Sequence, residues 1–107
     1  MITTDVQDSS RGAPGARMPV QLDLFVAAQG WVEVGYGITN AEGRIEEFGE
    51  PPAPGIYRLM FDAATYMPHG FFPSITITFE VRDVTERYHI TLVVSPYGYS
   101  AYRGPAD

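Results

Sequence analysis

An all-β sandwich or barrel is the fold class that this sequence predicts, and three observations predict it. Several stretches alternate apolar and polar side chains, the period-2 pattern of a strand with one face in a core. Turn-forming Gly, Pro, Asn and Asp separate these stretches at roughly the 8–12-residue spacing of an all-β domain. Helix is confined to one stretch of barely two turns. The 107 residues include 11 Gly and 9 Pro, and Val, Ile, Thr, Tyr and Phe fill the intervals, as strands prefer.

In chain order, residues 2–7 suit a first strand, ended by the turn chemistry of Asp8-Ser-Ser-Arg-Gly-Ala-Pro-Gly. Residues 18–26 place Val20, Leu22, Leu24 and Val26 on one face and Gln21 and Asp23 on the other. Residues 31–38 make a third strand, with Trp31 at its start as a packing residue. Asn40-Ala-Glu-Gly43 is a tight turn in which Gly43 can take positive φ, and Arg44 to Phe48 forms a fourth short strand. Residues 49–54 hold three prolines and cannot lie inside a sheet. Gly55 to Asp62 resumes as a strand. Asp62 then caps the single helix and Pro68 stops it. Residues 74–83 put Ile75, Ile77, Phe79 and Val81 opposite Thr76, Thr78, Glu80 and Arg82. Asp83-Val-Thr-Glu-Arg is a turn, and Tyr88 to Ser95 and Tyr99 to Arg103 complete about eight strands. No internal repeat or low-complexity tract interrupts them.

Composition bounds the function. A length of 107 residues supports one domain spanning 1–107 with one core. Hydrophobic residues make up 45% and charged residues 19%, which excludes a disordered tail or a coiled coil. The net charge is −6, all seven basic residues are Arg and none cluster, so a nucleic-acid backbone is not the expected partner. With no cysteine there is neither disulfide framework nor thiol nucleophile, which fits a reducing compartment. The start, Met1-Ile-Thr-Thr-Asp-Val, has neither a secretory pattern nor a membrane span, and the expected setting is the cytoplasm.

Parity sorts the polar residues. Thr3, Asp5 and Gln7 share one face of the first strand, opposite Ile2, Thr4 and Val6. His89, Thr91, Val93 and Ser95 share one face of the seventh, opposite Ile90, Leu92 and Val94. The more apolar face is the core face in each, so Asp5 and His89 point away from the core. The outer face that holds His89 and Val93 is only moderately polar, which suits a surface covered by a second copy. His69 belongs to a loop, Glu46, Glu47 and Glu50 to a solvated rim. Ser95 lies six residues beyond His89, too far along a strand for contact. With two His and no Cys, no structural zinc site is expected.

These segments, taken in order, carry a resemblance. The ending Leu92-Val-Val-Ser-Pro-Tyr-Gly-Tyr-Ser-Ala-Tyr-Arg-Gly104 resembles the Tyr-Arg-Gly-Ser ending of the 5-hydroxyisourate hydrolases, the enzyme branch of the transthyretin family. Ile2-Thr-Thr-Asp-Val-Gln-Asp8 with Arg11, Gly12 and Pro14 resembles the family's first strand and turn. Thr39-Asn-Ala-Glu-Gly-Arg44 is similar to its Thr-Asp-Ala-Asp-Gly-Arg, and Gly55-Ile-Tyr-Arg-Leu-x-Phe61, Phe71-Phe-Pro-x-Ile-x-Ile-x-Phe79 and Tyr88-His89 are similar to its later strands.

The resemblance implies a transthyretin-like sandwich of two four-stranded sheets with one short helix. It implies a homotetramer, a dimer of dimers, with sites where the dimers meet and no metal or organic cofactor. It further implies an enzyme of purine metabolism that opens a small polar cyclic amide. Arg44 and His89 stand at the family's site positions, as do Tyr102, Arg103 and Gly104. Asp5 stands where the hydrolases carry a first-strand His, and Pro105 replaces the terminal Ser.

Ring opening requires a deprotonated nucleophile, a stabilised oxyanion and a protonated leaving nitrogen. Arg44 and Arg103 offer forked donors for an anionic heterocycle, with Tyr102 and Gly104 completing the substrate-binding set. His89 exchanges the proton, while Asp5 acts either as a direct base or as the group that orients His89. The Asp5 charge would oppose an anionic substrate by roughly 1–4 kcal/mol, and Pro105 removes a hydroxyl and a backbone donor. A diverged member performing a different ring reaction in a biosynthetic pathway, and a non-catalytic small-ligand carrier, are the alternative expectations.

Overall fold

The computed structural model describes residues 1–105. The alternating stretches become strands β1 (Ile2–Asp8), β3 (Pro19–Val26), β4 (Gly30–Ile38), β6 (Gly55–Phe61), β7 (Ile75–Val81), β8 (Tyr88–Ser95) and β9 (Gly98–Arg103). Two short strands join them, β2 (Ala13–Pro14) and β5 (Arg44–Ile45), together with one helical turn, α1 (Ala63–Tyr66). The Asp62 side chain caps α1 by accepting from the Thr65 amide at 3.2 Å.

Two sheets face each other, one ordered β2-β1-β8-β9 with β5 also on β1, the other ordered β4-β3-β6-β7. The first sheet therefore has five strands where the resemblance implied four. The reason is geometric: β5 pairs with Thr4 and Asp5 and β2 with Gln7 and Asp8, so two short strands share one edge of β1. Pro14 is tolerated there because an edge strand needs no donor on its outer side. The fourth strand, expected to reach Phe48, ends at Ile45. Its partner segment on β1 is only two residues long, and beyond it Phe48 packs against the core instead.

Between the sheets lie Ile2, Val6, Val20, Leu22, Tyr57, Leu59, Phe61, Ile75, Ile90, Leu92 and Val94, all nearly inaccessible to water. These are the apolar faces that alternation predicts, and each large side chain contributes about 1.5–3 kcal/mol by its burial. Asp23 is a departure. Expected on a wetted face, it is buried beside an irregularity in β3 between Leu22 and Asp23. Arg58 Nε bonds its carboxylate at 2.9 Å, Gln21 donates to it at 2.8 Å, and the Arg58 guanidinium lies 4.2 Å from the Trp31 ring. A paired and hydrogen-bonded charge tolerates the loss of water that an isolated one does not.

Two features position the functional face. β1 and β8 run parallel, with Thr3 opposite His89 and Asp5 opposite Thr91. The turn after β4 delivers Arg44: Asn40 Oδ1 accepts from the amides of Glu42 and Arg44 at 2.9 and 3.0 Å, and Gly43 takes φ +76°. A side chain on Gly43 would collide with the Val6 carbonyl, so the turn fits against β1 only with glycine there. Among the described residues no helix is long and apolar enough to cross a membrane.

Candidate active site

The outer face of β1 and β8 floors a cleft of about 410 Å³. Thr3, Asp5 and Gln7 from β1, His89 and Thr91 from β8, Arg44 from β5 and Tyr102 from β9 line it, with Arg87 and Pro105 at its margins. Asp5 and His89 do point away from the core, yet Asp5 is not a solvated carboxylate: only 11% of its side chain is exposed.

Hydrogen bonds explain that burial. Asp5 Oδ1 accepts from the Thr91 hydroxyl at 2.6 Å and lies 2.8 Å from His89 Nε2. Asp5 Oδ2 accepts a longer bond from the Gln7 amide at 3.3 Å. A carboxylate oxygen only accepts, so Oδ1 receives both the Thr91 hydroxyl and His89, and the hydrogen on that side belongs to Nε2. The other ring nitrogen, Nδ1, lies 2.7 Å from the Thr3 hydroxyl. In the neutral ring Nδ1 is then the acceptor, and the imidazole has one tautomer and one orientation.

The backbone just after β9 holds the ring from a third side. Gly104 N–H donates to the His89 carbonyl at 2.7 Å, and a Cβ on Gly104 would stand 2.8 Å from His89 Cδ2. Glycine at 104 thus permits a backbone approach that any side chain would block. Gly104 supports the imidazole rather than lining the cleft.

The cations divide. Arg44 is directly opposite Asp5 in the β1–β5 pairing, lines the cleft and makes no ion pair among the described residues. Arg103 takes the other face of β9. It is opposite Ile90, donates to Glu86 at 2.7 Å and to the Arg87 carbonyl at 3.0 Å, and lies 4.5 Å from the Tyr88 ring. Within a single chain Arg103 therefore does not reach the cleft that His89 lines. One residue earlier, Tyr102 is opposite Thr91 and does face the cleft.

Thr3, Gln7, Thr91 and Arg87 were given no role by the sequence. Parity places the first three on the right faces, and only the parallel pairing of β1 with β8 reveals that they meet. A second depression of about 500 Å³ shares Asp5, Gln7 and Arg44 with the cleft and extends it toward Ser9 and Pro14. Ser95 bonds the Gly98 carbonyl at 3.1 Å, far from the imidazole's partners. Among the described residues no group of three or more His, Cys, Asp or Glu is arranged to hold a metal ion.

Comparison with known proteins agrees with this architecture. The model of the HIUase/Transthyretin family matches residues 2–104. The chain belongs to that family. Within the HIUase/transthyretin family, the chain is 33% identical to a 5-hydroxyisourate hydrolase of Pseudomonas aeruginosa, over 96% of this chain and 90% of that protein. It is 32% identical to the mouse 5-hydroxyisourate hydrolase, over 96% and 93% respectively. The Arabidopsis thaliana uric acid degradation bifunctional protein TTL is 36% identical, and this chain spans 36% of its length. Among solved structures, sea bream transthyretin in complex with thyroxine superposes with a TM-score of 0.90 at 22% identity, covering 96% of this chain and 93% of that one. That likeness concerns the fold alone. An (S)-allantoin synthase structure superposes with a TM-score of 0.85 at 27% identity, covering 97% of this chain and 43% of that chain.

Proposed function

We propose that this protein is a hydrolase of the 5-hydroxyisourate type, opening the ring of a small polar cyclic amide in the β1–β8 cleft. The observation that carries the reading is the Asp5–His89 hydrogen bond of 2.8 Å, set in the cleft that Arg44 also lines. The attacking oxygen gives its proton to the Asp5–His89 pair as it bonds to the ring carbonyl. The Arg44 guanidinium draws negative charge onto the carbonyl oxygen. The ring C–N bond breaks, and the proton passes from the pair to the leaving nitrogen, so the net change is the addition of one water. Tyr102 walls the cleft. Hydrolases of similar length at 32–33% identity support the assignment.

The working unit of this reading is a homotetramer. The site face is open in a single chain, with Tyr102 54% exposed at its border, and a second copy laid over it would exclude water and strengthen the electrostatics. The absence of cysteine suits a cytoplasmic setting.

The test follows the absorbance of freshly generated 5-hydroxyisourate. Wild type accelerates its decay, and His89→Ala lowers kcat by about 10²–10⁴-fold. A wild type no faster than buffer would sink the assignment. The resemblance favours a second reading, a different ring opening, cyclisation or isomerisation in the same cleft, because it implies that Asp5 stands where the hydrolases carry a first-strand His, and Asp5 lies in that cleft beside His89. Activity on 5-hydroxyisourate gained only with Asp5→His would select that reading.

A further inference from the structure

Both nitrogens of His89 are engaged, and their partners differ in kind. Nε2 faces a carboxylate oxygen at 2.8 Å that a second hydroxyl already satisfies, while Nδ1 faces the hydroxyl of Thr3 at 2.7 Å. Thr3 lines the cleft, and no other hydrogen bond of its hydroxyl is found among the described residues. A hydroxyl within hydrogen-bond reach of an imidazole, itself oriented by a carboxylate on its far nitrogen, is the arrangement of an activated nucleophile. Such sets are recognised by geometry and roles rather than by position in the sequence. Here the two ring nitrogens exchange their usual roles, with the carboxylate on Nε2 and the hydroxyl on Nδ1.

We infer that Thr3, His89 and Asp5 form a nucleophile–base–orienter set and that the Thr3 hydroxyl, not water, makes the first attack. The ring-opening part of this inference rests on the proposed hydrolase activity. Thr3 Oγ1 bonds to the ring carbonyl carbon and its proton moves to His89 Nδ1. The ring C–N bond breaks and the nitrogen takes that proton, leaving an ester on Thr3. The ring nitrogen stays tethered to the acyl group, so the enzyme carries the whole substrate mass. Water then gives a proton to Nδ1 and attacks the ester carbon; the C–O bond breaks, Thr3 Oγ1 recovers the proton and the ring-opened acid departs. One water is consumed and no electron changes hands.

The parallel β1–β8 ladder makes this set rigid. Thr3 and His89 are opposite each other, Asp5 is opposite Thr91, and Gly104 closes behind the imidazole. A Thr–His contact that merely satisfies a buried hydroxyl would need neither the Thr91 bond to Asp5 nor a place on the cleft wall.

The experiment uses a generic acyl donor, so it does not depend on the true substrate. Full-length protein is treated with p-nitrophenyl acetate, quenched in acid and mapped by peptide mass. An acetyl group is expected on Thr3, forming about 10²–10⁴-fold faster than in His89→Ala. Thr3→Ser keeps the label and Thr3→Val loses it, with circular dichroism reporting the fold of each. Absence of acetyl-Thr3 in wild type, or equal labelling in His89→Ala, overturns the inference. Labelled Thr3 together with no turnover of 5-hydroxyisourate overturns the hydrolase assignment and leaves the nucleophile standing. Turnover of 5-hydroxyisourate at an unchanged rate in Thr3→Val overturns the nucleophile and leaves the assignment standing.

Discussion

The Thr91 hydroxyl donates at 2.6 Å to the same Asp5 oxygen that faces His89 Nε2 at 2.8 Å. The carboxylate is therefore pinned by its neighbour across the ladder before it meets the imidazole. Thr91→Val keeps the shape of the side chain and removes the pin. The expected outcome is a fall in kcat of about tenfold with KM little changed, and a stability loss of about 1.5–3 kcal/mol, because a hydrogen bond to a buried charge is removed. Steady-state kinetics and urea unfolding on the same preparation check it.

Asp5→Asn should abolish most activity while leaving the sandwich intact. An amide in place of the carboxylate can present its NH₂ to Nε2, and the imidazole then adopts the opposite tautomer with its hydrogen on Nδ1. A comparable change in a serine-protease triad lowers kcat by about 10⁴-fold, and a loss on the order of 10³–10⁴ is expected here. A variant within about threefold of wild type would show that Asp5 does not set the tautomer.

Arg44 and Arg103 should separate cleanly on mutation. Arg44 is exposed and makes no ion pair among the described residues, so Arg44→Ala changes stability by less than about 0.5 kcal/mol. It should nevertheless reduce kcat/KM by about 10²-fold or more, and Arg44→Lys restores little because an ammonium lacks the planar fork. Arg103→Ala removes contacts to Glu86 and Tyr88 on the opposite face. Its expected effect on kcat/KM is less than about tenfold. Reversal of that order would mean that a second copy brings Arg103 to the cleft.

Acid stability should depend on Asp8. Burial works against its charge, but the Ser10 hydroxyl, Tyr66 and the amides of Ser10 and Arg11 outweigh it and hold the Asp8 carboxyl below the usual range. A carboxyl held lower in the folded chain adds stability that is complete above its unfolded value near about 4 and disappears as pH falls through the folded value. Asp8→Asn should therefore lower stability at neutral pH and flatten its decline below about pH 4. Urea midpoints at pH 7 and pH 3 test this. Equal losses at both pH values would assign the effect to packing of Tyr66 and Arg11 instead.

Alternation made the sheets readable in the sequence. Ile2, Val6, Ile90, Leu92 and Val94 lie where period-2 parity puts them, because each strand has one face in the core. Asp5, His89, Arg44 and Tyr102 were picked out from recognisable segments, and the four line one cleft. Partnership between strands was not readable. Parity says that Thr3 and Asp5 share a face, but not that β1 lies parallel to β8 and sets them beside His89. The side of β9 that each residue takes was not readable either, since the Ser95–Gly98 turn fixes the register that sends Tyr102 to the cleft of its own chain and Arg103 to the other face. Asp23 escaped because an irregular register beside it and an arginine from β6 supply what water would have supplied.

The carboxylate and the imidazole lie 84 residues apart in sequence and touch only across one ladder. Turnover therefore reports on the slowest kind of event in the folding of such a chain, closure between distant segments. Partly collapsed or nicked molecules that keep most of their strands should be inert, and regain of catalysis during refolding should track the final joining of β1 to β8 rather than the first appearance of β-structure.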